Sequence, residues 1–118
     1  MINVLTIMNN ELKGFEIPYT FDEWDKELEL PQFIGEIEET PTLDEDGKSE
    51  YLFILTGYAI KTNYDYLLEV AEKLKKKYKP SYIVNGIVIA YENLMPIDND
   101  TDDLKQIQIN LRIKEWSI

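Results

Sequence analysis

Apolar residues recur near the start of the chain at helical intervals, Ile2, Leu5, Met8 and Leu12, with Val4 flanking the same stripe. That spacing predicts a first helix over residues 2–13, with Gly14 placed for a left-handed cap. Residues 15–19 then alternate briefly around Pro18, which cannot donate to a ladder, so they predict a short or edge strand. Residues 21–30 are acidic and have room for one helical turn around Trp24. Residues 33–40 read as extended, and residues 51–60 are apolar on both faces and rich in strand formers. The acidic stretch between them carries Gly47, which predicts a hairpin.

A second helix is expected over residues 64–78, where Tyr64, Leu67, Leu68, Ala71, Leu74 and Tyr78 share a stripe and charged residues fill the rest. Thr62 or Asn63 would be its N-cap, and lysines crowd its C-terminal end, where the helix dipole favours cations. Pro80 marks its end. Residues 82–84 and 87–91 are strand-like and flank Asn85-Gly86, the strongest short hairpin signal in the chain. After an acidic loop over residues 96–103, alternation returns. Ile107, Ile109, Leu111 and Ile113 point one way, and Gln106, Gln108, Asn110, Arg112 and Lys114 the other, so one face should be buried and one solvated. The order α-β-β-β-α-β-β-β predicts an α+β fold, a largely antiparallel sheet with two helices packed on one face. With no repeat and no linker composition, residues 1–118 read as a single domain.

Charge narrows the function. Twenty-three acidic residues against twelve basic ones leave a net charge of −11, and Arg112 is the one arginine. Binding along a phosphate backbone requires several cations in register, so stable nucleic-acid binding is not expected. The same field could repel DNA or imitate it. No apolar run approaches the ~20 residues of a membrane span, and the first residues lack the basic head of a signal peptide, so neither membrane insertion nor export is expected.

Catalytic chemistry finds few candidates. The chain has no histidine and no cysteine, which removes the commonest acid-base group near neutral pH, thiolate nucleophiles and the usual zinc ligands. Ser49, Ser81 and Ser117 have no histidine to activate them. Asp98, Asp100 and Asp102 have the spacing that opens an EF-hand loop. However, Asp103 stands where that loop needs glycine and Ile109 where it needs a bidentate glutamate, so a solvated acidic loop is the expectation. Glu36, Glu38 and Glu39 cluster without an apolar pocket to raise a carboxyl pKa, as paired-carboxylate chemistry demands. A binding or assembly role with no cofactor and no metal is therefore expected. The contact candidates are Asp44, Glu45 and Asp46 at the expected hairpin tip, Lys73, Lys76 and Lys77 in the basic run, and Trp24 and Trp116 as aromatic anchors.

Several separate segments together resemble one family. Gly35-Glu36-Ile37-Glu38-Glu39, Glu45-Asp46-Gly47, Phe53-Ile54-Leu55-Thr56-Gly57 and the terminal stretch from Gln108 to Trp116 are similar to small proteins of the head-tail morphogenesis regions of Gram-positive tailed phages and prophages. The resemblance runs from about Pro31 onward and more loosely from the first helix. It implies a tail terminator or head-tail joining (tail completion) protein, a subunit that forms a ring, commonly a hexamer, on the tail tube and meets other head-tail proteins. It also implies a place in the virion, after assembly in the host cytoplasm, and no catalytic residue. An acidic inhibitor is the rival expectation, either an immunity protein or a DNA mimic, steered by charge onto a basic toxin or nuclease.

Overall fold

Two thirteen-residue strands form the centre of the molecule. β3 (Lys48–Ile60) and β6 (Leu104–Trp116) pair antiparallel along their whole length, from Lys48 opposite Trp116 to Ile60 opposite Leu104. The computed structural model describes residues 2–22, 29–40, 48–97 and 103–116. Around the central pair stand β1 (Tyr19–Phe21), β2 (Gln32–Thr40), β4 (Tyr82–Val84) and β5 (Ile87–Ile97), in the spatial order β1-β2-β3-β6-β5-β4. Every pairing is antiparallel except β1 with β2. Helix α1 (Ile2–Gly14) and, after a 3-10 turn at Lys61–Asn63, helix α2 (Tyr64–Tyr78) both pack on one face of this sheet. The α+β order read from the sequence is the order found.

Alternation explains which face is covered. Tyr51, Phe53, Leu55 and Ala59 of β3 meet Ile107, Ile109, Leu111 and Ile113 of β6 on the buried side, with Phe33 and Ile89 beyond them. Val4, Ile7, Met8 and Leu12 of α1, and Leu67, Val70, Ala71, Leu74 and Tyr78 of α2, close over these residues. The Val, Leu, Ile, Met and Phe side chains among them contribute roughly 1.5–3 kcal/mol each when fully buried. Gly57 lets α2 come close: a Cβ there would stand 2.7 Å from the Phe33 ring and 3.1 Å from Leu67 Cδ2.

The structure corrects the sequence reading in several places. Ile2 is 82% exposed, because the buried stripe of α1 is rotated toward Val4 and Ile7. Gly14 does not adopt a left-handed conformation. That role falls to Glu16, at φ 56°, after Phe15 and Glu16 N–H groups donate back to Leu12 and Lys13 carbonyls. Val70, absent from the expected stripe of α2, is buried, and Asn63 occupies the N-cap position without a side-chain hydrogen bond. β5 runs on through Pro96 to Ile97 in place of the expected loop. Proline is tolerated there because β4 reaches only Ile87, Val88 and Ile89, so this end of β5 has no described neighbour to serve on its other side. The Asn85-Gly86 hairpin is as expected, with both residues at positive φ, 46° and 86°, the geometry of a two-residue turn between twisted strands. The stretch around Trp24 and the tip between β2 and β3 lie outside the described residues. No described helix is long and apolar enough to cross a membrane.

Candidate interaction surface

The lysine run lies at the C-terminal end of α2. The helix stops where Lys79 turns extended while still donating its N–H to the Lys75 carbonyl at 3.0 Å. Lys73, Lys76 and Lys79 are exposed, Lys75 is half-buried, and with Glu72 they line a shallow groove of about 460 Å³. Among the described residues none of these four lysines makes an ion pair.

Lys77 behaves differently. It turns toward α1, its Nζ 2.9 Å from Glu11 Oε1 and within 4.9 to 5.6 Å of the ring centres of Tyr82, Phe15 and Tyr78. The Tyr78 hydroxyl donates to the same Glu11 oxygen at 2.8 Å. Burial first, and then this hydrogen bond and the Glu11 charge, push the Tyr78 phenol far above its usual range, so it stays a neutral donor. Tyr78 also meets Tyr82 edge-on at 5.7 Å. Lys77 is thus committed to a contact within the chain that ties α1, α2 and β4 together, while Lys73 and Lys76 remain available.

The sheet face away from the helices carries a polar network built on β6. Arg112 places Nη2 2.8 Å from Glu92 Oε1 and Nη1 3.8 Å from Glu50, and Lys114 lies 3.7 Å from the other Glu50 oxygen. Asn110, expected to be solvated, is only 6% exposed. It donates to Asn93 Oδ1 at 2.8 Å and accepts from Gln108 at 3.1 Å. A bulge in β5 makes both contacts reachable: the register slips between Tyr91 and Asn93, so Glu92 and Asn93 both address this face. Leu52, Ile54 and Ala90 fill the spaces between, and Ile83 and Met95 are exposed on the same side.

At the opposite edge β1 covers β2 only at Phe33, Ile34 and Gly35. From Glu36 to Thr40, β2 has β3 as its one described neighbour. Glu36, Glu38 and Glu39 are exposed along this edge, and among the described residues none makes an ion pair. Charge on an uncovered strand keeps it from adding further strands indiscriminately. Burial, and secondarily the Glu36 charge, raises the neighbouring Tyr58 phenol.

Of the sequence candidates, Asp44, Glu45, Asp46 and Trp24 lie outside the described residues, as do Asp98, Asp100 and Asp102. Trp116 ends β6 opposite Lys48, and its side chain lies outside the described part. Asp103 is exposed and uses its backbone carbonyl to accept from Lys61 at 2.9 Å. Sequence reasoning missed the Glu11-Lys77-Tyr78 cluster and the Glu92-Arg112-Glu50 bridge, which join residues 67 and 62 positions apart at their widest. An unusual lone arginine was the only signal available for either. No family model, curated protein or solved structure matches this chain.

Proposed function

We propose that this chain is a non-enzymatic phage structural protein, a tail terminator or head-tail joining subunit that assembles into a ring on the tail tube. One observation carries the reading. The segments that resemble the head-tail family are far apart in sequence, yet Gly35, the run from Phe53 to Gly57 and the run from Gln108 to Trp116 lie on β2, β3 and β6, three adjacent strands. Three of the four resembling segments thus lie side by side, which supports the reading, and the fourth, Glu45-Asp46-Gly47, lies outside the described residues. A sheet with helices on one side suits that family, and the open face leaves a surface for neighbouring subunits. Net negative charge would let a genome pass a lumen without adhering to its wall.

Light scattering behind size exclusion, across concentration and with negative-stain images of the peaks, tests this. A discrete ring-sized species is the expected outcome. The charge of −11 also favours the acidic-inhibitor reading. A strict monomer at every concentration that forms a tight one-to-one complex with a basic toxin or nuclease would establish that reading and overturn the ring.

A further inference from the structure

The two sets of charges that make no ion pair among the described residues lie toward opposite edges of the sheet. A line of paired residues crosses it from Thr40 through Glu50, Lys114 and Val88 to Ile83, four strand spacings, or about 19 Å. The acidic edge of β2, uncovered among the described residues, is at the start of this line. The C-terminal end of α2 is at its finish, held over β4 by the contact of Tyr78 with Tyr82. Each array has a local reason to exist, the lysines in the helix dipole and the glutamates in edge protection. Neither reason accounts for four lysines that, among the described residues, make no ion pair, in a chain with nearly twice as many acids as bases. Residues 73–79 carry five of its twelve cations, so the rest of the molecule bears −16, that is −11 less 5.

From this we infer that the groove of Lys73, Lys75, Lys76 and Lys79 is the docking site for the β2 edge of a second copy, with Glu36 and Glu38 facing the lysines. The inference rests on the ring reading and gives that ring its contact. Complementary patches on opposite sides of one molecule cannot satisfy each other across a two-fold axis. They generate head-to-tail contacts, which close into a ring if the rotation between neighbours allows and otherwise extend as a filament. A second copy fits better than nucleic acid because the groove is only about two helical turns long, whereas a phosphate backbone needs cations along its track.

The test uses the full chain and two neutralised variants, Lys73→Gln with Lys76→Gln, and Glu36→Gln with Glu38→Gln. All four side chains are exposed, so folding should be retained, and circular dichroism confirms it. Mass is followed by light scattering from about 0.01 M salt, where the Debye length is ~30 Å, to about 1 M, where it is ~3 Å. The native chain should assemble at low salt and dissociate at high salt, and each variant alone should associate about tenfold more weakly, two rim charge pairs' worth. An equimolar mixture of the two variants should stop at a dimer, because it retains one intact lysine groove and one intact acidic edge. Variants that assemble like the native chain, or a mixture that grows past the dimer, would overturn this contact and leave the ring standing. A capped dimer from a native chain that forms only open filaments would keep the contact and remove the ring. A native chain monomeric at every salt and concentration would overturn the contact. So would retention of a short DNA duplex that depends on Lys73 and Lys76 without any self-assembly.

Discussion

Replacing Tyr78 by phenylalanine removes a single hydroxyl from the point where α1, α2 and β4 meet. The ring is fully buried and stays so, so packing against Phe15 and Tyr82 is unchanged. What is lost is a 2.8 Å hydrogen bond to Glu11, whose side chain is 15% exposed. A bond to a charged acceptor contributes about 1.5–3 kcal/mol. Glu11 keeps Lys77, so no carboxylate is left buried and alone, which places the expected loss near the lower end, at about 2 kcal/mol. With a urea m-value of about 2 kcal/mol/M, the unfolding midpoint should fall by about 1 M with the slope unchanged. Lys77→Met, which keeps the stem and removes the charge, should cost less, about 0.5–1 kcal/mol, because that ion pair is partly solvated. The double variant should deviate from additivity, since both groups use the same Glu11 oxygen. A Tyr78→Phe midpoint within about 0.2 M of the native chain would refute the reasoning, and would mean that water replaces the hydroxyl.

Two glycines should respond differently to alanine. Gly57→Ala drives a methyl into Phe33 and Leu67 and should lower stability by about 1–3 kcal/mol through overpacking, whereas Gly86→Ala meets nothing within 4 Å and should cost about 1–2 kcal/mol through its positive φ alone. Thermal melts measure both losses, and Phe33→Leu should relieve the first without touching the second. Alkali should unfold the protein. Tyr19, Tyr51, Tyr58, Tyr66, Tyr78 and Tyr91 are all raised chiefly by burial, so above pH ~10 the unfolded chain loses phenolic protons that the native one retains. Stability from this source is complete below pH ~10 and declines above it, by up to about 1.4 kcal/mol per pH unit for Tyr78 alone. Most of the phenolate absorbance should therefore appear together with the loss of far-ultraviolet dichroism, and ionisation of more than two of the eight tyrosines well before unfolding would contradict the burial.

The fold was legible because most of its elements are periodic and locally punctuated. β6 alternates without interruption, α2 carries a wide stripe, and Asn85-Gly86 supplies the two positive dihedrals that its turn needs. Helix α1 was found but rotated wrongly, since Ile2 is as apolar as Ile7 and only packing distinguishes them. The bulge at Glu92 left no mark in the sequence, because nothing in Tyr91-Glu92-Asn93 says that two neighbours will share a face. The surface was legible as charge and not as geometry. Five lysines between residues 73 and 79 read alike on paper, and only the position of Glu11, from the other helix, separates Lys77 from the rest.

The β3-β6 seam also constrains how the molecule comes into being. Strands β1 to β3 form one half of the sheet and β4 to β6 the other, and among the described residues the halves pair only along that seam, with α2 resting on both sides of it. Until β6 docks, β3 is a thirteen-residue edge with Tyr51, Phe53 and Leu55 on one side and Leu52 and Ile54 on the other, a ready template for a foreign strand. Its partner follows it by 44 to 68 residues, so during synthesis this edge is made well before the strand that covers it, and their pairing spans the longest sequence separations among the described strands. Slow closure and sensitivity to crowding by unfinished copies follow from that order of events.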